Sequence, residues 1–314
     1  MYKSSPIYWP LLFIMDAVGY ILFFWKRSRS RPKNIRKALF IRLEHIGDMV
    51  MATPAFENFK KDHPKAKVHV LCRKLALPVI EKNPYVDKVI TYEAPWMIRK
   101  ENKERSLASL IDELKKEGYD IVFEMHGNPI NNYIASRTGA YSVGYGIRGA
   151  GFLLNKVIAY GDKQMVMQNL ALIKDFCRIK TTKTRIYYDQ KQDPKVLRKF
   201  HLQPGSYIII NPLSGRKEKD LTYEEVLAFM KKNRKGAIVL TGSASEIAPN
   251  KRFQRFKNVK DITGKTSLEE LFCIVRNARK VYAPDTGIVH IAKALGTEYR
   301  TIYKATDKRV WGYR

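Results

Sequence analysis

The chain has 314 residues, 45% of them hydrophobic and 11% aromatic, which suffices for two ordinary domains with cores of their own and excludes a disordered polymer. Its formal net charge of +28, from 58 basic and 30 acidic residues, attracts phosphate as nucleic acid, anionic lipid or nucleotide diphosphate, and charge alone does not choose among them. Three distant cysteines (Cys72, Cys177 and Cys273) and six histidines without ligand spacing indicate neither a disulfide framework nor a metal site, and suit a reducing cytoplasm.

Residues 6–25, PIYWPLLFIMDAVGYILFFW, approach the length that crosses a hydrocarbon core. A basic run follows at once: Lys26, Arg27, Arg29, Arg31, Lys33, Arg36 and Lys37, with no acid between them. A cleaved signal peptide has the reverse order of charge and apolar run. The positive-inside rule keeps the basic side, and the domains after it, in the cytoplasm. Asp16, Pro6 and Pro10 weaken a spanning helix, so an interfacial helix with Trp9 and Trp25 at head-group level competes with it. A helix buried on the globular body is the third reading, and the abutting cations, which suit anionic lipid, argue against it.

From residue 38 short apolar strands alternate with helices. ALFIR (38–42), KVHVLC (67–72), KVITYE (88–93) and DIVFEMHG (120–127) read as strands, with a helix beginning near Asp48 and another over 101–117,. A Lys/Gln/Asp-rich stretch around 180–205, with Pro194 and Pro204, reads as a linker,. The pattern then restarts with strands at 206–212, 236–242 and 280–284 and helices at 222–233, 267–278 and 287–295. Such a series predicts an α/β protein of two parallel-sheet domains, with loops from the strand C-termini facing a cleft. The divisions are 1–37 (apolar helix and basic cluster), 38–190 (first sheet domain) and 191–314 (second sheet domain).

Four segments carry candidate chemistry. RLEHIGD (42–48) runs from a strand end into a helix; Asp48 there could accept the proton of an attacking hydroxyl, or could simply cap the helix. In APDTGIVH (283–290), Thr286 and Gly287 place free amides at a helix N-terminus and His290 lies one turn on, an anion site or a capped helix with a core histidine,. NPLSGRKEK (211–219) offers a Ser/Gly turn and Lys219 for a leaving diphosphate, or else a solvated basic loop,. In TGSASE (241–246), Glu246 could bond a ribose or serve as a first-turn acid,.

In this order the segments resemble the inverting heptosyltransferases of glycosyltransferase family 9. The resemblance covers residues 38 to about 312. Its marks are RLEHIGDMVMATPAFENFKKDHP (42–64), NPYVDKVITYE (83–93), ITGKTSLEELFCIVRNARKVYAPDTGIVHIAKALGT (262–297) and TDKRVWGY (306–313). It implies two Rossmann-like domains of the GT-B class and a metal-independent transfer from a nucleotide sugar, ADP-linked in the members that modify lipopolysaccharide, with no cofactor. It implies Asp48 as catalytic base. It maps the donor site to Ser214, Lys219, Glu246, Asp285, Thr286, Gly287 and His290. A lipid-linked or lipopolysaccharide acceptor and action at the cytoplasmic face of the cell membrane, attached through residues 6–37, complete the expectation.

The chain departs from the family in four places. Leu221-Thr222 stands where a Trp-Pro pair is usual, and Lys304-Ala305 where a Gly-Pro precedes Thr-Asp. Members continue beyond the position of Arg314, which leaves either an incomplete chain or a dispensable closing element. A membrane segment is not part of the family's core. A non-catalytic, basic membrane- or nucleic-acid-binding protein that retains the fold is the alternative. A nicotinamide enzyme lacks its GxGxxG.

Overall fold

Each short apolar run ends in a turn and a helix, and two parallel sheets result in the computed structural model, which describes residues 5–95, 105–161 and 164–313. The chain forms two compact units, 1–182 and 183–314. In the first unit the strands are β1 (Lys37–Arg42), β2 (Lys67–Cys72), β3 (Lys88–Thr91), β4 (Ile121–Glu124), β5 (Tyr141–Gly144) and β6 (Lys156–Val157). Their order is β3-β2-β1-β4-β5-β6, all parallel. The chain leaves β1 in one direction and returns to its other side at β4, so the sheet has its topological switch point between these two strands. Open parallel sheets bind ligands there, beyond the strand C-termini.

Both faces of this sheet are covered, which is why its central strands read as unbroken apolar runs. On one face Phe40 stacks on Phe123 at 4.9 Å between centroids and meets Phe56 and Phe59 edge-on. On the other, Leu39, Ile41 and Val122 pack with Leu110, Leu114 and Ile134. The Ile46–Asp62 helix carries Pro54 in its interior. A proline there leaves the carbonyl four residues back without its amide partner, and the Thr53 hydroxyl donates to that oxygen, Val50 O, at 2.8 Å.

The second unit holds β7 (Tyr207–Ile210), β8 (Ala237–Leu240), β9 (Val259–Asp261), β10 (Lys280–Pro284) and β11 (Tyr299–Ile302) in the order β11-β10-β7-β8-β9, again all parallel. Its switch point lies between β7 and β10. Ile208, Ile210, Ile238 and Leu240 make its core with Val226, Met230 and Phe253.

Two expectations change. The 180–205 stretch is not all linker, since the Asp193–Lys199 helix lies within it and packs on the Leu268–Arg276 helix. Asp193 Oδ2 accepts from Asn277 Nδ2 at 2.8 Å and from Arg276 Nη1 at 3.2 Å. Of the predicted 101–117 helix, Leu107–Lys116 is helical, and residues 101–104 lie outside the described residues.

The apolar N-terminal run is also shorter than its sequence suggests. It forms a turn at Pro6–Tyr8 and a helix, Trp9–Leu22, of 14 residues. Among the described residues no helix is long and apolar enough to cross a membrane. Asp16, costly in a spanning helix, turns onto the first unit, where its Oδ1 accepts the Ala150 amide at 2.8 Å.

Candidate active site

The loop after β1 puts Asp48 at the third position of the Ile46–Asp62 helix, with His45 as N-cap. Asp48 Oδ2 accepts the His45 amide at 3.1 Å and Oδ1 accepts from Arg42 Nη2 at 2.9 Å. The residue does cap its helix. Both of its oxygens are engaged, yet an ionised carboxylate has about four lone-pair sites and these bonds use two. Asp48 is 8% exposed, so it lies at the surface edge of a largely buried cluster.

That cluster straddles the switch point. Arg42 is buried at the end of β1, donating also to Met125 O, with its Nε 3.3 Å from Glu44 Oε2. From the end of β4 come Glu124, fully buried, and His126, whose Nδ1 lies 2.8 Å from Glu44 Oε1. Glu124 Oε2 accepts the Gly127 amide at 2.6 Å and Oε1 the His126 amide at 3.0 Å. Asn131 Nδ2 reaches Glu44 Oε1 at 3.1 Å and Glu124 Oε1 at 3.3 Å, joining the two carboxyls. Gly127, at φ +80°, has Tyr145 Cβ and Ile147 Cγ1 within 3 Å of where a Cβ would stand, so the turn that aims His126 tolerates no side chain there,.

Three carboxyls thus share one guanidinium and one imidazole, and their acidities split. Burial pushes Asp48 up, but Arg42, His45 and His126 more than offset it and hold its carboxyl below the usual range. Glu44 is likewise pushed up by burial and brought below its ordinary value by His126 and Arg42. Glu124 is pushed up to about 7, by burial first and by Glu44 second.

A pH dependence follows. Native Glu124 keeps a proton that the unfolded chain releases near pH 4.5, so its contribution to stability falls as pH rises from there to about 7,. Glu44 and Asp48 act oppositely, their contribution being lost as pH falls through their lowered values,. Urea denaturation at a series of pH values should show wild-type stability dropping between pH 5 and 7, and Glu124→Gln should flatten that slope. The substituted side chain would leave one amide poorly paired, but that cost is the same at every pH and does not enter the slope.

In the second unit three loops follow three adjacent strands, β10, β7 and β8. Lys219 (after β7) and Asp285 (after β10) meet across the switch point: Lys219 Nζ is 3.2 Å from Asp285 O and 3.3 Å from its Oδ2. His290 Nε2 stands 3.6 Å from Asp285 Oδ1, and its Nδ1 is 2.9 Å from Tyr313 Oη. Burial raises the Asp285 carboxyl, but His290 and Lys219 outweigh it and hold it low. Thr286 occupies the N-cap of the Gly287–Leu295 helix without making a side-chain cap bond. Its buried Oγ1 has no hydrogen-bond partner among the described residues.

Lys219, Asp285, Thr286, Gly287 and His290 are therefore gathered at one helix N-terminus, as an anion site requires. Ser214 is less directly placed, since its amide and hydroxyl bond Asp220 Oδ1 at 2.7 and 3.0 Å and organise the 214–220 turn. Glu246 accepts the Ser243 amide at 3.0 Å as the acid of a capping box, with its carboxyl raised by burial. Sequence reasoning missed Glu44, Glu124, His126 and Tyr313. The signal available was a charged residue at the end of an apolar strand, as in FIRLE and FEMH.

Residues 107–313 match the family model described as glycosyltransferase family 9 (heptosyltransferase). The chain is 23% identical over 291 residues to lipopolysaccharide heptosyltransferase 3 of Escherichia coli strain K12, covering 86% of this chain and 83% of that protein. A glycosyl transferase family 9 structure from Veillonella parvula superposes with a TM-score of 0.78 at 17% identity, covering 90% and 86% of the two chains. An E. coli heptosyltransferase solved with ADP-2-deoxy-2-fluoro heptose gives 0.70 at 18% identity, covering 86% and 90%. These two likenesses concern the fold, of paired parallel sheets, and the family match concerns the sequence. With both in hand, the chain belongs to glycosyltransferase family 9 and is a glycosyltransferase.

Proposed function

We propose that the protein moves a heptose from ADP-heptose to a hydroxyl of a lipid-linked, lipopolysaccharide-type acceptor, with inversion at the anomeric carbon and without a metal. Asp48 takes the acceptor proton as the hydroxyl oxygen bonds to the anomeric carbon. The bond to the diphosphate oxygen breaks in the same step, and ADP leaves with the electron pair. Lys219 and the amides of the Gly287–Leu295 helix meet the charge that develops on the leaving group. Asp285 holds Lys219 and His290 in place, Thr286 and Ser214 offer hydroxyls to the phosphates, and Glu246 accepts from the ribose. The reaction takes place at the cytoplasmic face of the cell membrane, where residues 6–37 attach the protein.

The observation that carries this reading is the convergence of Lys219, His290 and the Thr286 hydroxyl, which has no partner among the described residues, on a helix N-terminus without a side-chain cap. The donor class is supported by the E. coli heptosyltransferase solved with an ADP-heptose analogue, and the acceptor class by the curated relative named for lipopolysaccharide. A ligand that binds only the folded state raises its melting temperature. ADP should therefore raise Tm by several degrees, with UDP and GDP raising it less. ADP-heptose with heptose-deficient lipopolysaccharide should release ADP. Equal shifts from all three nucleotides, or no ADP release above the rate without acceptor, would refute the donor or the acceptor assignment respectively.

A further inference from the structure

The N-terminal helix is neither free nor buried. One stripe of it faces the first unit: Leu12, Asp16, Gly19, Tyr20 and Phe23, at the three- and four-residue spacing of a single helical face,. Asp16 bonds the Ala150 amide, and Ala150 itself sits in the left-handed region at φ 59°. Gly19 lies against the Phe152 ring, which any Cβ at that position would enter, and Phe152 packs on Tyr20 and Phe23. The far end is fixed too. The Arg27 guanidinium covers the Tyr20 ring at 4.1 Å, Asn155 Nδ2 donates to Lys26 O at 2.6 Å, and Arg29 donates to Gly139 O at 2.8 Å.

The other side is apolar and open to solvent. Leu11, Phe13, Ile14, Ile21, Leu22 and Phe24 are each more than 60% exposed. Most of the exposed large hydrophobics among the described residues fall between Ile7 and Trp25. Asp16 is the only charged residue of the helix, and it points inward. Immediately beyond, Arg27, Arg29, Arg31, Lys33 and Arg36 are all exposed. An apolar face bordered by cations is complementary to one surface in particular, an anionic bilayer. At about 1.5 Å per residue the helix is roughly 21 Å long, short of the ~30 Å of a hydrocarbon core.

We infer that the Trp9–Leu22 helix lies in the plane of an anionic leaflet, its outward face in the acyl boundary and the basic run among the lipid phosphates, held in that attitude by the Asp16–Ala150 bond. This rests on the membrane attachment proposed above and not on the transfer reaction. The latch has a second consequence inside the first unit. The loop it grips, 146–151, packs through Ile147 against Gly127, beside His126. The bilayer plane is thereby fixed relative to the strand ends that carry Asp48.

Sedimentation of the full chain with lipid vesicles tests the inference. Wild type should bind vesicles containing phosphatidylglycerol at least tenfold more tightly than pure phosphatidylcholine, and should be released by alkaline carbonate. Phe13→Ser/Ile21→Ser/Phe24→Ser, all at exposed positions, should weaken binding at least tenfold. Arg31→Gln/Lys33→Gln/Arg36→Gln should remove most of the preference for anionic lipid. An unchanged ADP-induced Tm shift in both variants shows that they are folded, and loss of that shift in wild type would indict the donor reading instead. Failure of wild type to bind, indifference of binding to the serines, or resistance to carbonate would each overturn the proposal. So would a dimer in solution that the serines dissociate, which would assign the face to a second copy.

Discussion

Asp48→Asn should lower kcat for sugar transfer about 10³-fold, within the ~10²–10⁴ contributed by a positioned general base, while ADP still binds. The separation is expected because Asp48 lies in the unit spanning 1–182 and the residues proposed to hold the donor in the unit spanning 183–314. Asparagine keeps one acceptor oxygen, enough for either the Arg42 guanidinium or the His45 amide but not both. The fold should therefore lose about 1–3 kcal/mol, the cost of one poorly paired buried group. Asparagine and alanine both remove one counter-charge from Arg42, which keeps Glu44 beside it. Alanine also removes the acceptor oxygen, bringing the cost toward the roughly 3–5 kcal/mol of a buried pair broken from one side, so alanine is the poorer test. Asp48→Glu retains the charge one methylene further out and should fall between asparagine and wild type. Because Asp48 is held below the usual carboxylate range by Arg42 despite its burial, it stays ionised through the weakly acidic range, and transfer should not be lost there through its protonation. Turnover of Asp48→Asn within threefold of wild type at saturating donor would dismiss Asp48 as the base. Equal loss of ADP binding would reduce it to a structural cap.

The place of Asp48 at the start of its helix was legible because its signal is local. An apolar strand, a Gly-Asp pair and a helix follow one another within residues 38–62, and strand-to-helix turns of that kind face the ligand side of a parallel sheet. Glu124 and His126 were not legible, since their relation to Asp48 depends on β4 lying beside β1, a pairing of residues 83 apart that no window of sequence contains. Lys219 and Asp285, 66 residues apart, were each named from the sequence, but that they touch was not, because the order β10-β7 brings them together. β5, β6, β9 and β11 escaped for a different reason. They are two to four residues long and polar or small in part, so their pairing comes from the sheet and not from their own propensity. Pro194 misled in turn: it reads as a breaker within a linker, but it opens the Asp193–Lys199 helix, where a proline's missing amide costs nothing,. Asp16 weakened the spanning reading in the sequence, and the fold supplied the partner that the sequence did not show, the Ala150 amide.

Lys219→Met should lower kcat about 10²–10³-fold, the range seen when one donor to a developing oxyanion is removed, and should weaken ADP binding about tenfold as well. Both effects follow from the proposed place of the ammonium against the diphosphate, where it would bind the ground state and gain importance as the charge grows. Lysine is required to do two things here. It is held by Asp285 Oδ2 and O at 3.3 and 3.2 Å, and it remains a mobile point charge that can shift toward a phosphate oxygen,. Arginine keeps the charge but spreads it over a rigid plane, so Lys219→Arg should recover ADP binding more fully than turnover. The same substitution to methionine should change acid stability. Asp285 is held low by His290 and Lys219 against its burial, so its contribution to stability is present above its ordinary value and lost as pH falls through the lowered one,. With methionine at 219 that lowering is smaller, and acid unfolding should begin at a higher pH than in wild type. A variant with reduced turnover but unaltered ADP binding and unaltered acid unfolding would place Lys219 away from both Asp285 and the diphosphate, and the donor site would have to be built from His290 and the helix amides alone.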